Sequence, residues 1–194
     1  MIATPRGPRL DLRPLAESDE ALYVQLYTNP LAMQHIGTAQ DAGTATRGFR
    51  TALRFNAATP PVRLFWVIDD RAAMQALGLI GLSLDESGGG EVGVLLPDQH
   101  QGRGVATEAI AALAEHAFTV MQLQRLHTRH ENGHALAAGL MATLGFEQIA
   151  PAAGTGRWRW QLTPDRWAAS PRRLSNANPL PSGGLFQDRV RGHG

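Results

Sequence analysis

The chain has 194 residues, 43% of them hydrophobic, which is enough for one globular domain with a sizeable core. It contains no cysteine, which excludes disulfides, thiolate metal ligands and a cysteine nucleophile and agrees with a reducing compartment. The formal net charge is only +1, and all 18 basic residues are arginine, so we expect no binding to nucleic acid. No apolar run approaches the roughly 18 residues of a membrane span, so we expect a soluble, cytoplasmic protein that does not bind a membrane.

The first predicted unit is a strand followed by a helix. Polar and apolar residues alternate from Arg9 to Pro14, which is typical of a strand with one buried face. Ser18 or Asp19 is predicted to cap a helix that begins near Glu20. Helical spacing continues, with interruptions, over residues 22–36 and 45–55.

The middle of the chain is rich in strands. Three β-rich runs at residues 62–68, 76–84 and 91–96 are separated by turn signals at residues 69–70 and 87–90, which predicts an antiparallel meander. The elements predicted next are a helix at 107–121, a strand at 124–130, a helix at 135–144, and strands at 146–149 and 157–162.

These elements predict an α/β fold of the layered α+β kind, with a mixed, largely antiparallel central sheet flanked by helices on both faces. Residues 1–169 are expected to form this domain. The segment 170–194 has no periodicity and is dense in Pro, Gly, Ser and Asn, which predicts a disordered tail.

A glycine-containing loop lies between the predicted fourth strand and the helix after it. Gly102 and Gly104 let the backbone approach a phosphate, and Arg103 adds a cation beside the positive end of that helix. A pyrophosphate suits this arrangement, and the alternative is an ordinary strand-to-helix turn. A Walker loop would need a lysine, which the chain lacks, and a Rossmann loop would have a third glycine and would follow the first strand of a βαβ unit.

The spacing Gln99-x-x-Gly102-x-Gly104 resembles the acetyl-CoA loop of the GCN5-related N-acetyltransferase (GNAT) superfamily. Further segments resemble the branch that contains the ribosomal-protein alanine acetyltransferases. These are residues 9–19, similar to its opening, 91–97, to its fourth strand, 144–146, to the strand after its last helix, and 162–167, to its C-terminal end. The resemblance covers residues 9–167.

The resemblance implies that acetyl-CoA binds as a cosubstrate where the fourth and fifth strands splay apart. It implies a pantetheine arm along Val94, Leu95 and Leu96. It also implies phosphate contacts from the backbone of Gln101, Gly102, Arg103, Gly104, Val105 and Ala106. Relatives place an asparagine near pantetheine, and that position corresponds to Asn132 or to His134, depending on whether the turn contains a two-residue insertion.

The catalytic candidates are Glu91 and His134. Glu91 opens the predicted fourth strand, where several members of the superfamily place a general base, and the alternative is a surface glutamate at a strand end. His134 is either a proton acceptor near neutral pH or a polar residue at a helix start. Met141 occupies the position where other members have a tyrosine that protonates the thiolate. The histidines have no metal-ligand spacing, so no metal is expected.

The implied reaction is direct transfer of an acetyl group from the CoA thioester to a primary amine. A protein or peptide N-terminus is the suggested acceptor, and a small amine, such as an amino sugar or antibiotic, is the alternative. A non-catalytic regulatory module that binds acyl-CoA is another, because Met141 and the shifted Asn132 depart from the pattern. We expect residues 22–55 and 150–156 to select the acceptor, and the protein to be a monomer or a homodimer.

Overall fold

The computed structural model of the chain describes residues 2–131, 135–149 and 157–173. The strands are β1 (Leu10–Pro14), β2 (Arg63–Asp70), β3 (Gln75–Leu84), β4 (Gly89–Leu95), β5 (Arg125–Glu131), β6 (Glu147–Ile149) and β7 (Arg157–Leu162). The helices are α1 (Glu20–Thr28), α2 (Pro30–Met33), α3 (Ala42–Ala57), α4 (Val105–Thr119), α5 (Ala135–Leu144) and α6 (Pro164–Ala168). No helix in these ranges is both long and apolar enough to cross a bilayer.

Within the described ranges the strands form one seven-stranded sheet in the order β1-β2-β3-β4-β5-β7-β6. Neighbouring strands are antiparallel except β4 and β5, which run parallel because α4 connects them. Their pairing covers three positions, from Gly89 opposite Arg125 to Glu91 opposite His127. Both strands continue beyond these pairs, so they separate and leave a gap in the sheet after Glu91. The predicted fold class is confirmed.

Hydrophobic side chains cover both faces of the sheet. One core joins the sheet to α4 and α5 and includes Trp66 and Leu113, both fully buried. The other joins the sheet to α1 and α3 and includes Val67 and Phe49. Because successive strand residues point to opposite faces, neighbours such as Trp66 and Val67 belong to different cores. The central strands are therefore apolar on both sides.

Two local predictions are wrong for physical reasons. Asp19 precedes α1 but does not cap it, because its carboxylate accepts hydrogen bonds from the Ala16 amide at 2.8 Å and from the Arg13 guanidinium at 2.9 and 3.0 Å. This bidentate pair with a guanidinium on β1 holds the carboxylate away from the first amides of α1. Gly90, predicted as part of a turn, lies in β4, and a Cβ there would be 2.7 Å from Cδ1 of Leu82.

Several sequence predictions fall on residues outside the described ranges. Asn132, His134 and the loop 150–156 are among them, as are residues 174–194 of the predicted tail. The boundary at residue 170 stays a prediction. Ser170 itself is buried, and its hydroxyl donates a hydrogen bond to the Leu144 carbonyl at 3.2 Å. Arg173 still pairs with Glu115 of α4 at 3.5 Å, so the chain contacts the domain as far as the described residues extend.

Candidate active site

The loop between β4 and α4 leaves the N-terminus of the helix without a side-chain cap. Gly102 and Gly104 have φ angles of +70° and +76°, a backbone conformation that favours glycine. Gly104 is the N-cap residue of α4, and its side chain, a hydrogen atom, cannot accept from the helix. The amides of the first helical turn consequently have no partner within the helix, which makes this end of α4 a site for an anion. Gln101 closes the loop by donating from Nε2 to the Leu96 carbonyl at 3.1 Å.

A cleft of about 950 Å³ joins this loop to the gap between β4 and β5. Its lining includes the predicted pantetheine residues Val94, Leu95 and Leu96, and the predicted phosphate residues Gln101, Gly102, Gly104, Val105 and Ala106. Arg103 is exposed and does not line the cleft. Because N–H and C=O groups point alternately to the two edges of a strand, the edge of β4 beyond Glu91 presents backbone groups that β5 does not bond.

Glu91 lines the cleft at the point where the gap begins. Its Oε1 accepts a hydrogen bond from Nε of Arg129 at 3.0 Å, and Oε2 accepts a second one from Nη2 of the same side chain. Burial raises the pKa of the Glu91 carboxyl, but the hydrogen bond and charge of Arg129 outweigh that effect and hold the pKa below its ordinary value. Glu91 is therefore ionised at neutral pH, and its role as a general base stays a prediction.

His127, opposite Glu91 on β5, lies between the carboxylates of Glu91 and Asp85. Its Nε2 is 3.9 Å from Oε2 of Glu91, and its Nδ1 is 3.9 Å from Oδ2 of Asp85. Burial lowers the pKa of His127, and the two carboxylates offset this only in part, while Arg159 and Arg129 lower it further. The imidazole is consequently neutral at pH 7 and separates the two negative charges without cancelling them.

The face of the sheet toward α1 and α3 forms the other side of the cleft. Arg63, Ser83, Glu91 and His127 occupy matching register positions on β2, β3, β4 and β5. The Nε of Arg63 donates to Oγ of Ser83 at 2.8 Å. Gly93, one step further along β4 on the same face, is exposed, and no atom lies within 4 Å of the position a Cβ would take.

Two stacked tyrosines on α1 complete this side. The rings of Tyr23 and Tyr27 are 4.3 Å apart between centroids, and both line the cleft. Burial raises the pKa of both phenols, so they are neutral hydrogen-bonding groups at ordinary pH. They belong to the segment 22–55 that the sequence associates with the acceptor.

The residues at the start of β1 contact α4 just after the loop. Both oxygens of Glu108, in the first turn of α4, accept hydrogen bonds from Arg9, with Nε to Oε2 at 2.9 Å, and Oε1 also accepts from the Leu10 amide at 2.9 Å. Glu108 therefore holds the N-terminal segment against α4, at a helix N-terminus where the dipole also favours a carboxylate. It links β1 to the start of α4 and fixes the loop before α4 relative to the sheet.

Sequence reasoning identified the loop and β4 but not Arg129, Arg63 and Ser83. Arg129 is 38 residues from Glu91, and only the parallel pairing of β4 with β5 brings the two together. Arg63 is exposed at the first position of β2, where a charged residue is ordinary, so the sequence carried no signal for it. Among the residues that the structure describes, no group of three or more His, Asp or Glu side chains could hold a metal ion.

Comparison with known proteins supports an acyltransferase architecture. Residues 9–147 match the family described as an acetyltransferase (GNAT) domain. No significant match to a curated protein sequence was found.

Solved structures of similar fold include acetyltransferases of several kinds. An acetyltransferase from Agrobacterium tumefaciens str. C58 is 26% identical, with a TM-score of 0.71 over 84% of this chain and 95% of that one. The spermidine N-acetyltransferase from Vibrio cholerae, in complex with CoA and spermine, is 18% identical with a TM-score of 0.70, over 82% of this chain and 98% of that one. RimL, a ribosomal L7/L12 alpha-N-protein acetyltransferase in complex with CoA, is 13% identical with a TM-score of 0.71, over 84% and 99%.

The last two are too distant in sequence to indicate more than a shared fold, but the family match covers most of the described chain and includes the loop, the gap and the cleft between them. The protein belongs to the GNAT acetyltransferase family.

Proposed function

We propose that the protein transfers an acetyl group from acetyl-CoA directly to the primary amine of a protein or peptide N-terminus. The observation that supports this most strongly is that one cleft contains both the uncapped N-terminus of α4 and the unpaired edge of β4. The first suits the pyrophosphate of CoA, and the second suits an extended chain with amide groups.

In this proposal the donor lies along the end of β4. The pyrophosphate contacts the amides from Gln101 to Ala106, and the pantetheine arm runs past Val94, Leu95 and Leu96. Its amides can pair with the backbone groups that β5 leaves free, which fixes the thioester near Gly93 and Leu95. Asn132 or His134, which follow β5, would stand near the same arm.

The transfer itself needs few protein groups. The neutral amine attacks the thioester carbonyl, an amide of β4 near Leu95 stabilises the oxyanion, and the carbon–sulfur bond breaks to release CoA thiolate. The amine nitrogen loses a proton, which passes to Glu91 directly or through water. Met141 cannot protonate the thiolate, so the sulfur takes its proton from solvent.

The shape of the cleft mouth favours a peptide over a compact small amine. Leu31, Ile36 and Leu136 line the mouth and are 55%, 47% and 80% exposed. An apolar rim around a polar floor suits a chain whose first residue enters and whose next residues rest outside.

The test incubates the protein with acetyl-CoA and a panel of peptides that differ in their first two residues. Turnover is measured by the release of free thiol and by mass spectrometry of the peptide. We expect a mass gain of one acetyl group on the peptide N-terminus and none on the same peptide with a blocked N-terminus. If the folded protein binds acetyl-CoA but acetylates neither peptides nor small amines, it is a binding module and the proposal is wrong.

A further inference from the structure

The charge of the cleft, beyond the reaction itself, indicates which amines it accepts. Among the described residues that line the cleft, Glu91 has the only carboxylate, and it is paired with Arg129. Arg63 also lines the cleft, and no carboxylate of the described chain lies within 4.0 Å of its guanidinium. The acceptor side therefore has a net positive charge and one unneutralised cation.

Arg63 is held in place by groups that leave its outer nitrogens free. Its Nε donates to Oγ of Ser83 at 2.8 Å, and its Cζ lies 5.6 Å from the ring centroid of Phe55. These contacts orient the guanidinium over β3, between its own strand and β4. An oriented guanidinium with free N–H groups matches the geometry of a carboxylate.

A third cation lies on the far side of Glu91. Arg159 on β7 is directly opposite Arg129 on β5, is exposed, and its charge acts on both Glu91 and His127. A polycationic acceptor would meet this positive field on both sides of a carboxylate that is already neutralised. A site for polyamines or aminoglycosides needs the opposite charge.

We propose that Arg63 forms an anion subsite, so that the preferred acceptor is a primary amine with a carboxylate several bonds away. This rests on the proposed function, because the amine must lie near Gly93 for the acetyl transfer. Gly93 is one strand over and two residues along from Ser83, and with strands about 4.8 Å apart and a rise of about 3.3 Å per residue this puts the guanidinium over β3 roughly 8 Å from that amine. The α-carboxylate of a free amino acid is one carbon from its amine and too close, whereas an acidic side chain at the first or second peptide position reaches.

The experiment compares peptides of one sequence that begin Ala-Glu, Ala-Gln or Ala-Lys. Arg63 is exposed, so solvent screens the pair, and for the natural chain we expect kcat/KM to be roughly threefold to tenfold higher for the Glu peptide than for the Gln peptide, mainly through KM. In Arg63→Gln the ratio should fall to about one, and in Arg63→Glu the Lys peptide should become the best of the three. Arg54→Gln, which removes an equal charge from α3 outside the cleft, should retain the ratio of the natural chain.

If Arg63 acts only in folding, Arg63→Gln would lower kcat/KM for all three peptides together and leave their ratios unchanged, which would overturn the inference. Equal kcat/KM for the Glu and Gln peptides in the natural chain would also overturn it. A separate arm uses free glutamate and γ-aminobutyrate, and a preference for these over every peptide would assign the carboxylate to a small amino acid. If no amine is acetylated, the proposed function fails, and calorimetric binding of the same peptides in the presence of CoA still measures the charge preference independently.

Discussion

Gly93 offers a substitution that separates the chemistry from the fold. It lies in β4 on the cleft face, is exposed, and no atom lies within 4 Å of the position of an added Cβ. Its φ is not in the left-handed region, so a branched side chain fits the strand. In Gly93→Val the new methyl groups would therefore project into empty space where the thioester and the amine are proposed to meet.

The expected magnitudes follow from that geometry. Strand propensity changes by at most about 1 kcal/mol, which for a chain of this size moves Tm by roughly 2–4 °C. Activity should fall about a hundredfold or more, because displacing reacting groups by even about 1 Å can cost that much. Thermal unfolding and thiol release measured on the same preparations read the two effects separately.

A matched control is Gly139→Ala in α5. Gly139 is also exposed, with no atom within 4 Å of an added Cβ, and it does not line the cleft. We expect this variant to keep full activity and to gain about 0.5–1 kcal/mol of stability. Normal turnover by Gly93→Val would refute the placement of the reacting groups, and a large loss of its Tm would refute the claim of open space.

Two further predictions concern ionisable groups. In the proposed reaction the Glu91 carboxylate accepts the amine proton, so Glu91→Gln should lower kcat roughly a hundredfold. Because Arg129 holds the pKa of Glu91 below its ordinary value, the pH–rate profile of the natural chain should show no change near neutral pH from the titration of Glu91. An unchanged kcat in Glu91→Gln would show that Glu91 is not the base. Hydrogen bonds from the Ser87 hydroxyl and the Gly89 amide lower the pKa of Asp85 from 3.8 to about 2, so its carboxylate stabilises the fold above pH 3.8 and loses this effect as pH falls toward 2. Asp85→Asn should therefore unfold at lower temperature at pH 7 and show a shallower decline of stability between pH 4 and pH 2, and identical pH slopes in urea unfolding would contradict this.

The sequence was most informative where local pattern determines structure. The three β-rich runs between residues 62 and 96 predicted the meander, and the apolar stripe at 107–121 predicted α4, because alternation and helical spacing are local properties. The loop was recognisable because Gly102 and Gly104 are both needed for positive φ angles. These features are encoded within a few residues.

What the sequence did not reveal depends on contacts between distant segments. The pairing of Arg129 with Glu91 requires β5 to lie parallel to β4, which is set by the α4 crossover and not by either strand. The same applies to Asp19, which looked like a helix cap until Arg13 on β1 proved to be its partner. Which charged side chains pair depends on which strands are neighbours and on their register, and these cannot be read from the spacing of the residues along the sequence.

The most direct test of the account is calorimetric binding of acetyl-CoA to the natural chain and to Gly102→Glu/Gly104→Glu, which puts two carboxylates against the proposed pyrophosphate position. Gly88→Glu is the matched control. Gly88 has a φ of +75° and precedes β4, at the end of that strand opposite the loop, so the variant tests the strain of a side chain in that conformation without added charge at the loop. We predict binding by the natural chain and by the control, and none by the loop variant. No binding by the folded natural chain, or equal binding by the loop variant, would contradict the central claim.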